Sequence, residues 1–312
     1  MDTLEIKAPY PQQFEVILGK PHLPDDARSS VTLAQRFTHV LLWLREYLSA
    51  LGPEERQCFV CRGAMPDAAY PIVLSQFMSR AMRLALPLVD LVGHGWGDSA
   101  ALLTRCLIDL RLRVEWIGAA DSGLRAWIHI CAAMEERVRE LRTVRKHGIN
   151  VTPFGPPRTD KESEPFRLYK EARQSLDALL AAKAVEGGKK RRKGRVEIRS
   201  LLPPLRFMAS HVGRLPLYDF WYGEFSIVEH NNLESLREHV RPALGGTAVT
   251  DLSLPPQWGL AALGCGIQQF TAILDQWRGV FGIPAAPHQA AELDALLADV
   301  KVELVRSGAM YD

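Results

Sequence analysis

The residues best placed to do chemistry lie in Leu217 to Val240, read L-Y-D-F-W-Y-G-E-F-S-I-V-E-H-N-N-L-E-S-L-R-E-H-V. Tyr218, Tyr222, Ser226 and His230 recur every fourth residue. On a helix that interval stacks them along one stripe. A Ser one turn before a His can hydrogen-bond to it, fix its tautomer and leave the other nitrogen for proton transfer. A second polar stripe sits upstream. Arg105 and Asp109 are one turn apart, with Ala101, Leu112 and Trp116 on the same stripe. Charged groups are seldom buried unless paired. Arg before Asp is also the weaker order for an exposed pair one turn apart. The expectation is that Arg105 and Asp109 face another helix, while Thr104, Arg111 and Glu115 form that helix's polar face. An Arg from one helix beside a His from another can hold an anion such as phosphate. Gly223 costs about 1 kcal/mol relative to Ala in a helix interior, so it is expected where another backbone comes close. Trp221, Phe225, Val228 and Leu217 are the expected core face.

Helices must position these groups. Apolar residues at helical spacing begin at Leu33 and end at Gly52-Pro53, a stop signal. Further helices are expected over Ala68 to Val92 with a kink at Pro87, Ala100 to Gly118, Gly123 to Lys146, Lys161 to Glu186, Leu205 to Val212, Leu217 to Arg241, Trp258 to Val280 and His288 to Ser307. Gly93-His94-Gly95-Trp96-Gly97 is a tight turn, and Asp98 or Ser99 is the expected cap after it. Residues 1–28 read as an extended arm, and 29–312 as a single all-α domain. No run alternates in the manner of a convincing β-strand. The class is an all-α helical bundle of about eight to ten helices with short loops.

At 312 residues the chain is long enough for a large core. A net charge of +2 is too small for a dedicated non-specific nucleic-acid binder, so any such contact must come from a local patch. Lys189, Lys190, Arg191, Arg192 and Lys193 form one between glycines, without aromatic residues to stack bases. Five cysteines without a dense pattern suit a reducing compartment. Apolar stretches broken by Pro87 and Asp90, and an opening without a signal peptide, lead to a cytoplasmic expectation. Cys58 and Cys61 are one pair, where zinc needs four ligands, so neither a metal nor another cofactor is implied. No nucleophile elbow, zinc-protease helix, dinucleotide fingerprint or kinase set is present.

The R-C-L-I-D stretch, Arg105 to Asp109, followed by Y-D-F-W-Y-G-E-F-S-I-V-E-H, Tyr218 to His230, resembles domain-of-unknown-function family 5677. The resemblance covers roughly Met78 to Val240. It departs at the acidic position, where Asp109 stands in place of Glu. It implies a helical fold with a polar centre of Arg105, Asp109, Tyr222, Ser226 and His230, and no particular reaction. Such proteins are in turn similar to the HEPN superfamily of helical nucleases, whose RNA-cutting members use an Arg and a His a few residues apart. Arg142 with His147 and Arg206 with His211 fit that spacing, but so many Arg and His residues produce it by chance. Arg105 with His230 is the better pair. Two readings follow. One is a helical binding or regulatory module in a stress or phage-defence setting. The other is a metal-independent ribonuclease with His230 as acid/base and Arg105 steadying phosphate. The partners expected are RNA or another protein, no membrane, and a homodimer as the oligomeric option.

Overall fold

The computed structural model describes residues 14–16, 27–50, 67–147, 163–186, 198–229, 240–242, 248–250, 256–284 and 287–307. The class is all-α. Nine α-helices appear among the described residues: α1 Ala27–Ala50, α2 Ala69–Gly93, α3 Gly97–Ala119, α4 Ser122–His147, α5 Ser163–Glu186, α6 Leu205–His211, α7 Gly223–Glu229, α8 Pro256–Phe281 and α9 Pro287–Arg306. A 3-10 turn, Ile198–Leu201, precedes α6, and a π-helical stretch, Leu217–Tyr222, leads into α7. By contacts the chain divides into two compact units. One contains 1–53, 78–111 and 215–312; the other contains 54–77 and 112–214.

The first unit is built from amphipathic helices. In α1 the residues Leu33, Phe37, Leu41 and Leu44 recur at helical spacing and are all buried. They meet α8 and α9, whose buried residues include Phe270, Ile273, Leu274, Leu293, Leu296 and Val300. Phe37 and Phe270 pack edge to face at 5.8 Å. Each such side chain contributes about 1.5–3 kcal/mol on full burial. Arg36 ties the rim of this layer, with Nε 3.0 Å from Glu292 Oε1 and Nη1 2.5 Å from Asp299 Oδ2.

Three short strands also belong to this unit. Phe14–Val16 (β1) runs parallel to Ala248–Thr250 (β3), and Val240–Pro242 (β2) runs antiparallel to it. Each strand is three residues long. Pro242, which has no N–H to donate, sits on an edge strand, where proline is tolerated. The expected helix from Leu217 to Arg241 is therefore corrected at its far end, because Val240 and Arg241 are extended. The all-α class is unchanged by so short a sheet.

The second unit pairs α4 with α5. Cys131, Val138, Tyr169, Ala172 and Leu176 are buried there. Tyr169 donates to Glu135 at 2.9 Å, and the buried Arg173 bonds Asp177 at 3.1 Å. Ile198, in the 3-10 turn, is fully buried.

The turn between α2 and α3 closes as its glycines suggest. Gly95 has φ 78°, and the Trp96 N–H reaches the Leu91 carbonyl at 2.8 Å. This is the left-handed stop in which a glycine ends a helix without a side-chain clash. The cap expected at Asp98 or Ser99 is corrected: α3 begins at Gly97, so Asp98 lies in the first turn, where its charge favours the helix dipole. Gly97 starts that helix because α8 arrives there; a methyl at Gly97 would lie 2.9 Å from the Gly259 backbone nitrogen. Among the described residues α2 is the one helix long and apolar enough to cross a membrane, despite Pro87 and Asp90, and 44% of that window is buried within the protein.

Candidate functional site

The two polar stripes meet. Arg105, half-buried on α3, donates from Nη2 to Tyr222 Oη at 3.0 Å. Its guanidinium carbon also lies 4.7 Å from the centre of the Tyr222 ring. A hydrogen bond and a cation–π contact thus hold one side chain. Tyr218 stacks on Tyr222, with ring centres 4.8 Å apart and planes 15° apart.

The local backbone explains why the tyrosines align. Leu217–Tyr222 is π-helical, and the Gly223 N–H reaches back five residues to the Tyr218 carbonyl. The wider turn lays Tyr218 and Tyr222 almost face to face. Such insertions are frequent at functional sites. Phe225, one turn further on, is fully buried, 5.6 Å from Trp221 and 6.3 Å from Trp258 between ring centres, and it anchors the helix. Trp221 and Leu217, expected as core, are only half-buried.

Ser226 donates to the Tyr222 carbonyl at 2.5 Å. A hydroxyl has one proton to give. With that proton on the backbone, Ser226 can meet a histidine only as acceptor. Asp109 is half-buried one turn after Arg105. The structure therefore brings Arg105 and Tyr222 into contact, places Ser226 on the Tyr222 backbone, and puts Asp109 beside Arg105 along the helix. His230 lies outside the described residues, as do Lys189, Lys190, Arg191, Arg192, Lys193, Cys58 and Cys61.

Two expectations about these helices are corrected. Gly223 does not mark a close approach, since nothing stands within 4 Å of a methyl built there. Thr104 and Arg111, read as part of the polar face of α3, meet α8. Thr104 is fully buried and donates to the Ala100 carbonyl at 3.1 Å and the Ala262 carbonyl at 2.9 Å. Arg111 donates to Gln269 at 2.8 Å, and Gln269, itself fully buried, donates to Cys265 Sγ at 3.4 Å. The sequence carried no clear signal for this network, because Gln269 stands beside Gln268 on α8 and only the fold shows that Gln269 is the buried one.

Burial pushes the Cys265 thiol up to about 12, against a lesser pull from Gln269 and Arg111. Burial likewise raises Cys131 to about 12. Both are packing thiols rather than nucleophiles. Among the described residues no group of three His, Cys, Asp or Glu side chains could hold a metal ion. Arg142 and His147 are both exposed on α4, and Arg206 and His211 are both exposed on α6.

Comparison with known proteins yields one partial relative and one family. Intraflagellar transport protein 70B of Bos taurus is 27% identical over 120 residues, 37% of this chain and 18% of that protein. This chain thus matches less than a fifth of that relative. No solved structure matches. The profile of the family of unknown function DUF5677 matches residues 72–246, more than half the chain and both polar stripes, and the chain belongs to that family.

Proposed function

We propose that this protein is a non-catalytic helical binding or regulatory module of the cytoplasm, in which the Arg105–Tyr222 centre holds the fold. The observation that carries this reading is the double engagement of Arg105, whose guanidinium gives one N–H to the Tyr222 hydroxyl and lies against the same ring. An arginine that steadies a transferring phosphate must turn its N–H groups toward the ligand. Tyr222 takes one of the five N–H donors of Arg105, and swinging the guanidinium away from Tyr222 toward such a ligand would cost a charge-assisted hydrogen bond worth about 1.5–3 kcal/mol and a ring contact worth about 0.5–1 kcal/mol. Ser226 points the same way, because its proton is committed to the backbone.

The test is RNA cleavage by the wild type and His230→Ala in EDTA, with the melting temperature of each. The expected result is no cleavage by either and a lowered melt for the variant. Cleavage by the wild type, lost in His230→Ala at an unchanged melt, would overturn the reading in favour of a HEPN-like ribonuclease with His230 as acid/base.

A further inference from the structure

We propose that the exposed face of α6 binds single-stranded nucleic acid, with an unpaired base stacking on Phe207 and His211 and a phosphate meeting Arg125. The proposal names a partner for the binding module above and rests on that reading. Helix α6, seven residues long, is about two turns over a small core. Met208 and Ala209 are buried, while Arg206, Phe207, Ser210 and His211 face solvent. Phe207 is 56% exposed, and its ring lies nearly parallel to that of His211, at 19° with centres 6.2 Å apart. Two flat rings are thus held open to water on one short helix. A duplex hides its base faces, whereas a single strand offers them, and any base can stack on such a platform.

A fixed cation borders the platform. The Arg125 guanidinium lies 4.5 Å from the centre of the Trp116 ring, and Nη1 donates to the Trp116 carbonyl. Its Nη2 lies 3.5 Å from His211 Nε2. Indole and carbonyl hold the plane of the guanidinium, so little freedom is lost when a phosphate arrives. Partial burial lowers the Arg125 pKa, with Asp121 opposing that shift, and the group stays charged at neutral pH. A third cation comes from the end of α6. Gly213, at φ 69°, reverses the chain so that the Arg214 N–H reaches the Ala209 carbonyl, and Arg214 Nε bonds Glu115 at 3.1 Å. Arg125, Arg206 and Arg214 outnumber Glu115 and Asp121 here, which favours a polyanion of modest affinity. Exposed aromatic rings beside an anchored guanidinium carry this assignment; the Arg206–His211 spacing does not.

The experiment is fluorescence anisotropy of the full chain with a labelled twelve-nucleotide oligouridine in EDTA, read across a salt series. Binding is expected to fall with salt by about 0.7 log units per log unit for each phosphate contacted. Phe207→Ala should weaken it at least about fivefold with an unchanged melt, and Phe207→Trp should restore it. Arg206→Glu should weaken binding and flatten the salt slope, and Val302→Ala, at an exposed site on α9, should change nothing. Absence of binding, equal binding of a blunt duplex, or a Phe207→Ala affinity equal to wild type would overturn the proposal. So would binding that vanishes only when Lys189 to Lys193 are replaced by Ala. Shortening of the probe on a gel would instead sink the non-catalytic reading and leave the binding result standing.

Discussion

Arg105 is held by Tyr222 through two forces that substitution separates. Tyr222→Phe keeps the ring and removes the hydroxyl, so it should cost about 1–2 kcal/mol in urea denaturation. Tyr222→Leu removes the ring face as well and should cost about 0.5–1 kcal/mol more. Arg105→Met combined with Tyr222→Phe should cost less than the sum of the two single changes, since each already removes the shared bond. Additive costs would mean that Arg105 owes its position to other neighbours. Two thiols provide a pH test at the same scale. Cys131 and Cys265 are raised to about 12 in the native state, against 9.0 ordinarily. Between those values the native state keeps protons that the unfolded state has lost. Stability is therefore undiminished below pH 9 and falls as pH rises toward 12, by about 1.4 kcal/mol per pH unit for each thiol. Unfolding midpoints at pH 8 and pH 10 read this slope, and Cys131→Ala/Cys265→Ala should flatten it. Equal slopes in wild type and variant would show that other groups set the alkaline limit.

Two glycines make opposite predictions for their helices. At Gly97 an added methyl meets the backbone of α8 at Gly259, which cannot swing aside, and Trp258 at 3.1 Å. Gly97→Ala should therefore destabilise by about 1–3 kcal/mol despite alanine's better propensity. At Gly223 the backbone is ordinary helix, φ −62° and ψ −55°, with open space around it. Gly223→Ala should stabilise by about 0.5–1 kcal/mol. Thermal melts of the two variants must move in opposite directions; a loss at Gly223 would mean that the stripe needs its glycine for a partner. Sequence alone could not rank these positions, because a glycine in a helical pattern looks the same beside a backbone or beside water. The helices themselves were legible, since α1 and α8 repeat apolar residues at the period of a buried face. So was the Arg105–Tyr222 encounter, announced by a charge on an apolar stripe. The buried Thr104 network was not legible, because Thr104 and Arg111 look the same on a polar face whether α8 or water covers them. The π-helical turn and the three-residue strands carry no periodic signal in so short a span.

At the scale of the whole molecule, the segment shared with the family is not a self-sufficient unit. The match ends at residue 246, before α8 begins at Pro256. Yet α8 supplies the Ala262 carbonyl to Thr104, Gln269 to Arg111, Trp258 beside Phe225, and Gly266 where a side chain would collide with Leu88 at 3.0 Å. Helices α1 and α9 then cover α8 with Phe37, Leu293, Leu296 and Val300. Without α8, α2 and α3 would expose Leu88 and Thr104, both fully buried in the chain. Returning even one large apolar side chain such as Leu88 to water costs about 1.5–3 kcal/mol, and marginal stability leaves only about 5–15 kcal/mol in total. A fragment of residues 72–246 should therefore lack a cooperative thermal transition by circular dichroism, while the full chain melts cooperatively. Adding residues 256–307 as a separate chain should restore some of the transition, because α8 brings back the partners of Leu88, Thr104 and Arg111. A fragment that melts sharply alone would place the fold's stability in the family segment and leave the flanking helices to another role.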